Sequence, residues 1–401
     1  MTKIRYHLPL ILLTACAILS YFLISQWQFT DQQWAAPLDD AWIHFQYARN
    51  LANGNGFSYN AGEPTAGSTA PLWTLLLAVP ALFTENLMPW GLLLSAAFWL
   101  ASVLLTFAIM RQWAFDQTSA LLAALGVMFV GRMNWAAWSG MEATAFAALS
   151  LLAIWAYTRY GMRVWVALLF GLASQLRPEG HALFAFAGLL FCYEDWRDGV
   201  SFGRIFQTGF LAVLAYTLVA LPYALFSLSA TGKPLPNTFY AKSGGDSLFS
   251  WRTLSETLTL HWRDNPVALL LIPFGMPTLW RRSKLALLWL IGLPIFTAVI
   301  VEQTWHHGRY TLPLIPLQIM TAVMGLVVLV AWFGRKTTPS KPIFVLLSVL
   351  MLASGLQGLP KWATMLGTNS REILEIDVAL GEWLRDNTPP DALIAVDDIG
   401  A

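Results

Sequence analysis

The chain has 401 residues, of which 57% are hydrophobic and 12% charged, with a net charge of +1. A soluble domain carries roughly 25% charged residues, so this composition excludes a water-facing globule for most of the chain and describes an integral membrane protein. No basic block is present, which argues against nucleic acid as a partner.

Residues 8–25 form the first apolar run and are long enough to cross a hydrocarbon core. Leu13-Thr14-Ala15-Cys16 has the look of a lipoprotein processing box, but the apolar run continues through Ile24, so an uncleaved first span is expected. Cys16 and Cys192 both lie in apolar runs, and neither a disulfide framework nor a cysteine-based metal site can be argued from them.

The first long polar stretch, residues 39–73, opens with two adjacent carboxylates, Asp39 and Asp40. Asp39 can cap a helix running to about Asn53, which Gly54 and Gly56 then stop. Along it Ala41, Phe45, Ala48 and Ala52 make an apolar stripe, while Asp40, His44 and Tyr47 share another face. Two acids at a helix start can simply favour its positive end. One cap needs only one carboxylate, however, which leaves the second for chemistry.

Further apolar runs fall near 87–110, 118–131, 143–158, 163–176, 180–193, 205–229, 266–280, 285–301, 311–333 and 342–359, giving about 11 spans with the first. The run 71–84 is shorter, contains Pro80, and either crosses or dips in and returns. Short cytoplasmic loops concentrate Lys and Arg. If 71–84 does not cross, then Lys3, Arg5, Arg111, Arg159, Arg163, Arg197, Arg204, Arg281, Arg282, Lys284, Arg335, Lys336 and Lys341 all face the cytoplasm. This topology puts the loops richest in unusual polar residues on the outer face: 39–73, Trp138 to Glu142, Arg177 to Gly180, Gly232 to Lys242, and His306 to Tyr310. The expected fold is an all-α polytopic membrane domain over 1–360 with a helical first outer loop. Residues 361–401 then read as the beginning of an extracytoplasmic α/β domain, with an amphipathic helix from Glu372 to Arg385 and a strand starting at Ala392 to Val396. A lone strand cannot bury its faces, so this second domain is expected to be truncated.

Carboxylates with arginines, lysines and histidines at a membrane surface suggest transfer from a lipid-linked phosphate donor, a carboxylate taking a proton and cations receiving the departing phosphate. Arg177 can hold a phosphate or pair with Glu179. Lys242 and Arg309 are the better phosphate candidates, since each sits near a tyrosine, Tyr240 or Tyr310, in a loop poor in carboxylates. Glu142 can touch a sugar, although capping the following span is the plainer reading; Asn237 is a further polar candidate beside Tyr240. Adjacent His306 and His307 diverge on any regular backbone, which disfavours a shared metal. Glu63, Glu142 and Asp40 can join a divalent-metal site, but no ligand spacing demands one. Exposed tryptophans fit an interfacial belt as readily as sugar stacking.

The stretch from Asp39 to Phe57, followed by Asn60-x-Gly62-Glu63 and Pro71-Leu72-Trp73-Thr74, resembles the first outer loop of GT-C glycosyltransferases, especially the mycobacterial-type terminal arabinofuranosyltransferases. Ser139 to Glu142, Arg177 to Gly180, Pro236 to Lys242, and Gly308-Arg309-Tyr310-x-x-Pro313 also look like that group. The resemblance implies a polyprenyl-phosphate sugar donor, a glycan or lipid acceptor, and an aspartate base that falls on Asp39 or Asp40. Related loops often carry arginine where this chain has Gln46, so the contact expected there, and arabinofuranose as the sugar, do not carry over directly.

Two readings from other classes compete. A transporter or lipid flippase needs ionisable or broken-helix sites near the midplane, usually in paired repeats; the chain has no internal repeat, and only Arg177 to Gly180 break an apolar run with charge. A glycan-binding scaffold needs the aromatic residues but not Asp39 with Asp40.

Overall fold

The computed structural model describes residues 6–242, 248–302, 306–334, 340–389 and 392–394, and among them the chain is helical with no strand. The first helix, α1 (His7–Phe29), has 23 residues, about 34 Å of rise, and crosses a bilayer unaided. Then α2 (Asp40–Ala52) lies on α3 (Pro71–Ala81), whose leading proline costs no hydrogen bond at the first helical position. With 11 residues, α3 rises only about 17 Å, roughly half a hydrocarbon core. A non-crossing 71–84 fits that length.

Next come α4 (Met88–Gln112), α5 (Gln117–Met128) and α6 (Gly131–Ala137). The apolar run 118–131 is taken up by α5, and the chain bends by 67° at the end of that run, between α5 and α6. The bundle continues with α7 (Ala143–Tyr160), α8 (Val164–Ser174), α9 (Glu179–Arg197), α10 (Phe202–Thr231), α11 (Asn237–Lys242), α12 (Trp251–Asp264), α13 (Pro266–Arg282) and α14 (Lys284–Ile300). After a 3-10 turn at His306–Gly308 follow α15 (Ile315–Gly334), α16 (Ser340–Leu356), α17 (Leu359–Glu372), a π-helical turn at Ile373–Val378, and α18 (Ala379–Asn387).

Every apolar run marked in the sequence is helical. Five described stretches are long and apolar enough to cross alone: α1, α4, α10, Leu312–Gly334 and Lys341–Asn387. By contrast, α5 and α8 have 12 and 11 residues. The tightest helix pair is α13 with α15, where Gly275 and Gly325 face each other and any Cβ would run into the opposite backbone. Small residues are what permit such approach where lipid supplies no hydrophobic drive between helices.

The amphipathic segment expected from Glu372 to Arg385 is helical, in the π-helical turn and α18, and none of the residues of those two elements is buried; what docks on the bundle is α17, just before it. Gln26 on α1 donates from Nε2 to Ser370 Oγ on α17 at 2.7 Å, and α17 also packs on α6. The boundary expected between residues 360 and 361 therefore falls inside α17. Of the strand expected from Ala392, residues 392–394 have no regular structure and the rest lies outside the described residues.

Four helices frame the functional end. Glu142 precedes α7, Arg177 follows α8, Glu179 opens α9, and Thr297 and Ile300 end α14, so all four bring these residues to one end of the bundle. Their other ends carry Tyr160, Arg163, Glu194 and Lys284.

Candidate active site

Asp39 occupies the cap position of α2, but its backbone is already helical (φ −60°, ψ −37°) and its side chain makes no capping bond. The capping role that the sequence allowed is thus not taken. Asp40 points its carboxylate at the Arg309 guanidinium, Oδ2 to Nη1 2.5 Å. One turn on, His44 sets Nδ1 3.3 Å from Ser68 Oγ and 3.4 Å from Thr74 Oγ1, while Nε2 lies 3.7 Å from Glu142 Oε2. Burial lowers the His44 pKa against the opposing pull of Glu142 and Asp40, so we read the Glu142 approach as a contact of a neutral imidazole and not as an ion pair.

Tyr47, on the same face, turns out to be structural. Its hydroxyl accepts from Gly67 N at 3.0 Å and shares a hydrogen bond with Thr65 Oγ1 at 2.9 Å, which folds the first loop back onto α2. Gln46 does the same from its own position, donating to Tyr59 O at 3.1 Å.

Glu142 is delivered by a turn at Gly140, whose φ of +69° a side chain would resist and whose carbonyl accepts from Trp73 Nε1 at 3.1 Å. Glu142 does not cap α7 either. Its Oε1 accepts from Arg177 Nη1 at 2.6 Å, and Arg177 also donates from Nη2 and Nε to Glu179 Oε1 at 2.8 and 3.3 Å. The Arg177 to Gly180 turn is tight because Gly180 lies against the Ser174 backbone, where a Cβ would come within 2.5 Å of the amide nitrogen. Burial pushes the Glu142 carboxyl up, but Arg177, assisted by Arg309, outweighs it and holds the group below its ordinary value. The Arg177 guanidinium lies 5.0 Å from the Tyr310 ring centre and that of Arg309 5.8 Å, so the two cations flank one aromatic ring.

These groups border a cavity lined on its polar side by Thr69, Arg177, Glu179, Thr238, Arg309 and Tyr310, and on its apolar side by Phe239, Phe296, Ile300 and Val301. Arg309 Nε, Tyr310 Oη and Glu179 Oε2 are buried there with no hydrogen-bond partner among the described residues. Two unused donors, one on Arg309 and one on Tyr310, with the Arg177 guanidinium beside the same ring, suit an anionic oxygen.

The other expected residues lie apart. Glu63 is exposed and accepts from Asn60 Nδ2 at 3.1 Å within its own turn. Asn237 begins α11 and is exposed, its backbone N–H donating to Ala66 O at 3.1 Å. Tyr240 has Lys233 Nζ 4.7 Å from its ring centre. The side chains of Lys242 and His306 lie outside the described residues. His307 faces away from the cluster, its ring edge-on to Trp135 and Trp362 and its Nε2 3.0 Å from Asn369 Oδ1. Among the described residues, no three His, Cys, Asp or Glu side chains gather as metal ligands.

One supporting group was missed in the sequence. Arg132 on α6 is fully buried, pairs with Asp264 (Nη2 to Oδ2 2.5 Å, Nε to Oδ2 2.9 Å), and donates from Nη1 to the carbonyls of His307 and Gly308, both at 3.1 Å. It thereby holds the backbone immediately before Arg309. A lone arginine at the end of an apolar run was the available signal.

No family model matches the chain. It is similar to the terminal β-(1→2)-arabinofuranosyltransferase of Corynebacterium glutamicum, at 26% identity over 78% of this chain and 51% of that protein; the chain thus spans about half the length of this curated relative. Its structure resembles that of ArnT from Cupriavidus metallidurans bound to undecaprenyl phosphate, with a TM-score of 0.67 and 14% identity, covering 98% of this chain and 83% of that one. The apo form of the same protein superposes with a TM-score of 0.63 and 14% identity, over 96% and 81% of the two chains. The fold is accordingly the GT-C fold that the sequence resemblance implied.

Proposed function

We propose that this protein is an inverting glycosyltransferase that moves a sugar from a polyprenyl-phosphate donor to a glycan or lipid acceptor on the outer face of the cytoplasmic membrane. The observation that carries the reading is the cavity beside Asp40, where buried Arg309 Nε and Tyr310 Oη present unused donors next to the Arg177 guanidinium. The neighbouring fold was solved with undecaprenyl phosphate, and the sequence relative transfers arabinofuranose; both support a lipid-phosphate donor here.

In this reading the acceptor hydroxyl attacks the anomeric carbon as the bond from that carbon to the phosphate oxygen breaks. The bonding electrons leave with polyprenyl phosphate, whose charge Arg309 and Tyr310 receive, with Arg177 and Lys242 alongside. The hydroxyl proton goes to Asp39. Asp40, engaged by Arg309, orients that cation instead of serving as base. One displacement with one base and no covalent sugar intermediate inverts the anomeric carbon. Residues 1–360 would form the catalytic membrane domain, with α17 docked on it, and 361–401 would lead into an outer domain.

The test is to incubate the purified full-length protein with a panel of polyprenyl-phosphate sugars and an acceptor extract and to analyse the lipid products. Release of free polyprenyl phosphate from one donor is expected. Turnover of none, with accelerated movement of the donor across vesicles, would replace the reading with that of a flippase.

A further inference from the structure

A second cavity lies away from the candidate active site. It holds about 650 Å3 and lies at the opposite ends of the same helices, between the Tyr160 end of α7, the Arg163 start of α8, Glu194 and Asp195 on α9, and the junction of α13 with α14. Along α7 the 18 residues between the two ends rise about 27 Å, close to a hydrocarbon thickness. The cavity therefore sits at the other membrane boundary, where the sequence concentrates Arg and Lys.

Its lining contains four cations, Arg163, Arg281, Arg282 and Lys284, against two acids, Glu194 and Asp195. Glu194 is already committed, with Oε1 2.5 Å from Lys284 Nζ. That leaves three arginines facing one acid. Arg163 spends its Nε on Tyr160 O at 3.2 Å, and the Arg282 guanidinium stands 5.9 Å from the Phe115 ring centre. The back wall is hydroxylic, with Thr158 Oγ1 2.7 Å from Ser283 Oγ, and the flank on α10 is apolar at Leu211. Because α10 packs chiefly on α8 while α13 packs on α15 and α14, the cavity lies in a lateral seam between these two groups of helices.

We infer that this cavity binds the headgroup of an anionic phospholipid, the phosphodiester among Arg163, Arg281 and Arg282 and one acyl chain along Leu211. A positive pocket with a polar floor, an apolar flank and a lateral seam at a membrane boundary matches an anion that carries hydrocarbon, and basic pockets between spans are the usual receptors for such headgroups. The inference is independent of the proposed reaction.

The experiment uses the full chain in detergent and measures, by native mass spectrometry, retention of dioleoyl phosphatidylglycerol against dioleoyl phosphatidylcholine. Each arginine near a headgroup is worth about fivefold in affinity. Phosphatidylglycerol is expected to be preferred at least about tenfold, and the triple variant R163Q/R281Q/R282Q should lose that preference. Should the triple variant fold poorly, Leu211→Trp keeps every charge, blocks the acyl flank, and should weaken retention by about tenfold as well. Equal retention of the two lipids, or unchanged preference in both variants, overturns the assignment. Equally effective displacement by soluble glycerophosphoglycerol would show that no acyl chain is read and overturns the lipid assignment too.

Discussion

Arg309 Nη1 stands 2.5 Å from the Asp40 carboxylate, joining the loop after α14 to the first residue of α2. Burial disfavours the Arg309 cation, but Asp40 more than compensates, so its pKa is raised and the guanidinium stays charged in the cavity wall. Asp40 thus serves the arginine, and its neighbour Asp39 is the proposed base.

Asp39→Asn preserves shape and removes the proton acceptor. Turnover should fall about a hundredfold or more with donor affinity retained. Asp40→Asn should act on donor affinity instead, by loosening Arg309. Near-normal turnover in Asp39→Asn with loss only in Asp40→Asn, measured as kcat and KM separately, would move the base to Asp40.

Charge-assisted contacts to a phosphate are worth about 1.5–3 kcal/mol each. Arg309→Ala and Lys242→Ala should each weaken donor use by roughly ten- to a hundredfold. Unchanged apparent donor affinity in both variants removes the phosphate assignment. Arg177→Ala is a poorer probe, because it strands the buried carboxylates of Glu142 and Glu179, and loss of one partner of a buried pair costs about 3–5 kcal/mol.

The site should be acid-labile in two steps. His44 has a folded pKa below its ordinary 6.5, so under that pH the unfolded chain binds a proton that the folded site resists, and stability falls. Glu142 has a folded pKa below its ordinary 4.5, so its contribution is present above that pH and is lost as pH drops through the folded value. Thermal unfolding in detergent should therefore weaken first below pH 6.5 and again below 4.5, and His44→Gln should shrink the first step, to which His307, also lowered by burial, contributes as well, while leaving the second. A midpoint that is flat between these pH values in the unsubstituted protein contradicts this.

Arg132→Met should destabilise by about 3–5 kcal/mol, since it leaves Asp264 charged and buried. Adding Asp264→Leu should restore much of the stability. Donor affinity should stay low in the double variant, because the His307 and Gly308 carbonyls that lead into Arg309 are still unheld. Recovery of both properties together would reduce Arg132 to a purely structural role.

The topology is open to labelling. In a chain without Cys16 and Cys192, single cysteines at exposed Glu63 and Asn237 should react with a membrane-impermeant thiol reagent in intact cells, and cysteines at exposed Arg111 and Arg197 should not. The reverse pattern would invert the membrane orientation.

Composition and run lengths alone determined that this is a polytopic helical membrane protein, because apolar runs in a chain with few charges have no other stable form. The local strings were equally legible. Asp39-Asp40, Ser139 to Glu142, Arg177 to Gly180 and Gly308 to Tyr310 all carry polar groups between apolar runs, where they stand out without any knowledge of contacts. Partners were not legible, since a string records neighbours along the chain while an ion pair depends on where helices converge. Only the tertiary structure decided that Glu142 serves Arg177 instead of capping α7, that Arg309 belongs to Asp40, and that Tyr47 and His307 support loops instead of lining the cavity. It also decided the bend between α5 and α6 and the place of Arg132, whose burial is tolerated because Asp264 and two backbone carbonyls converge on it.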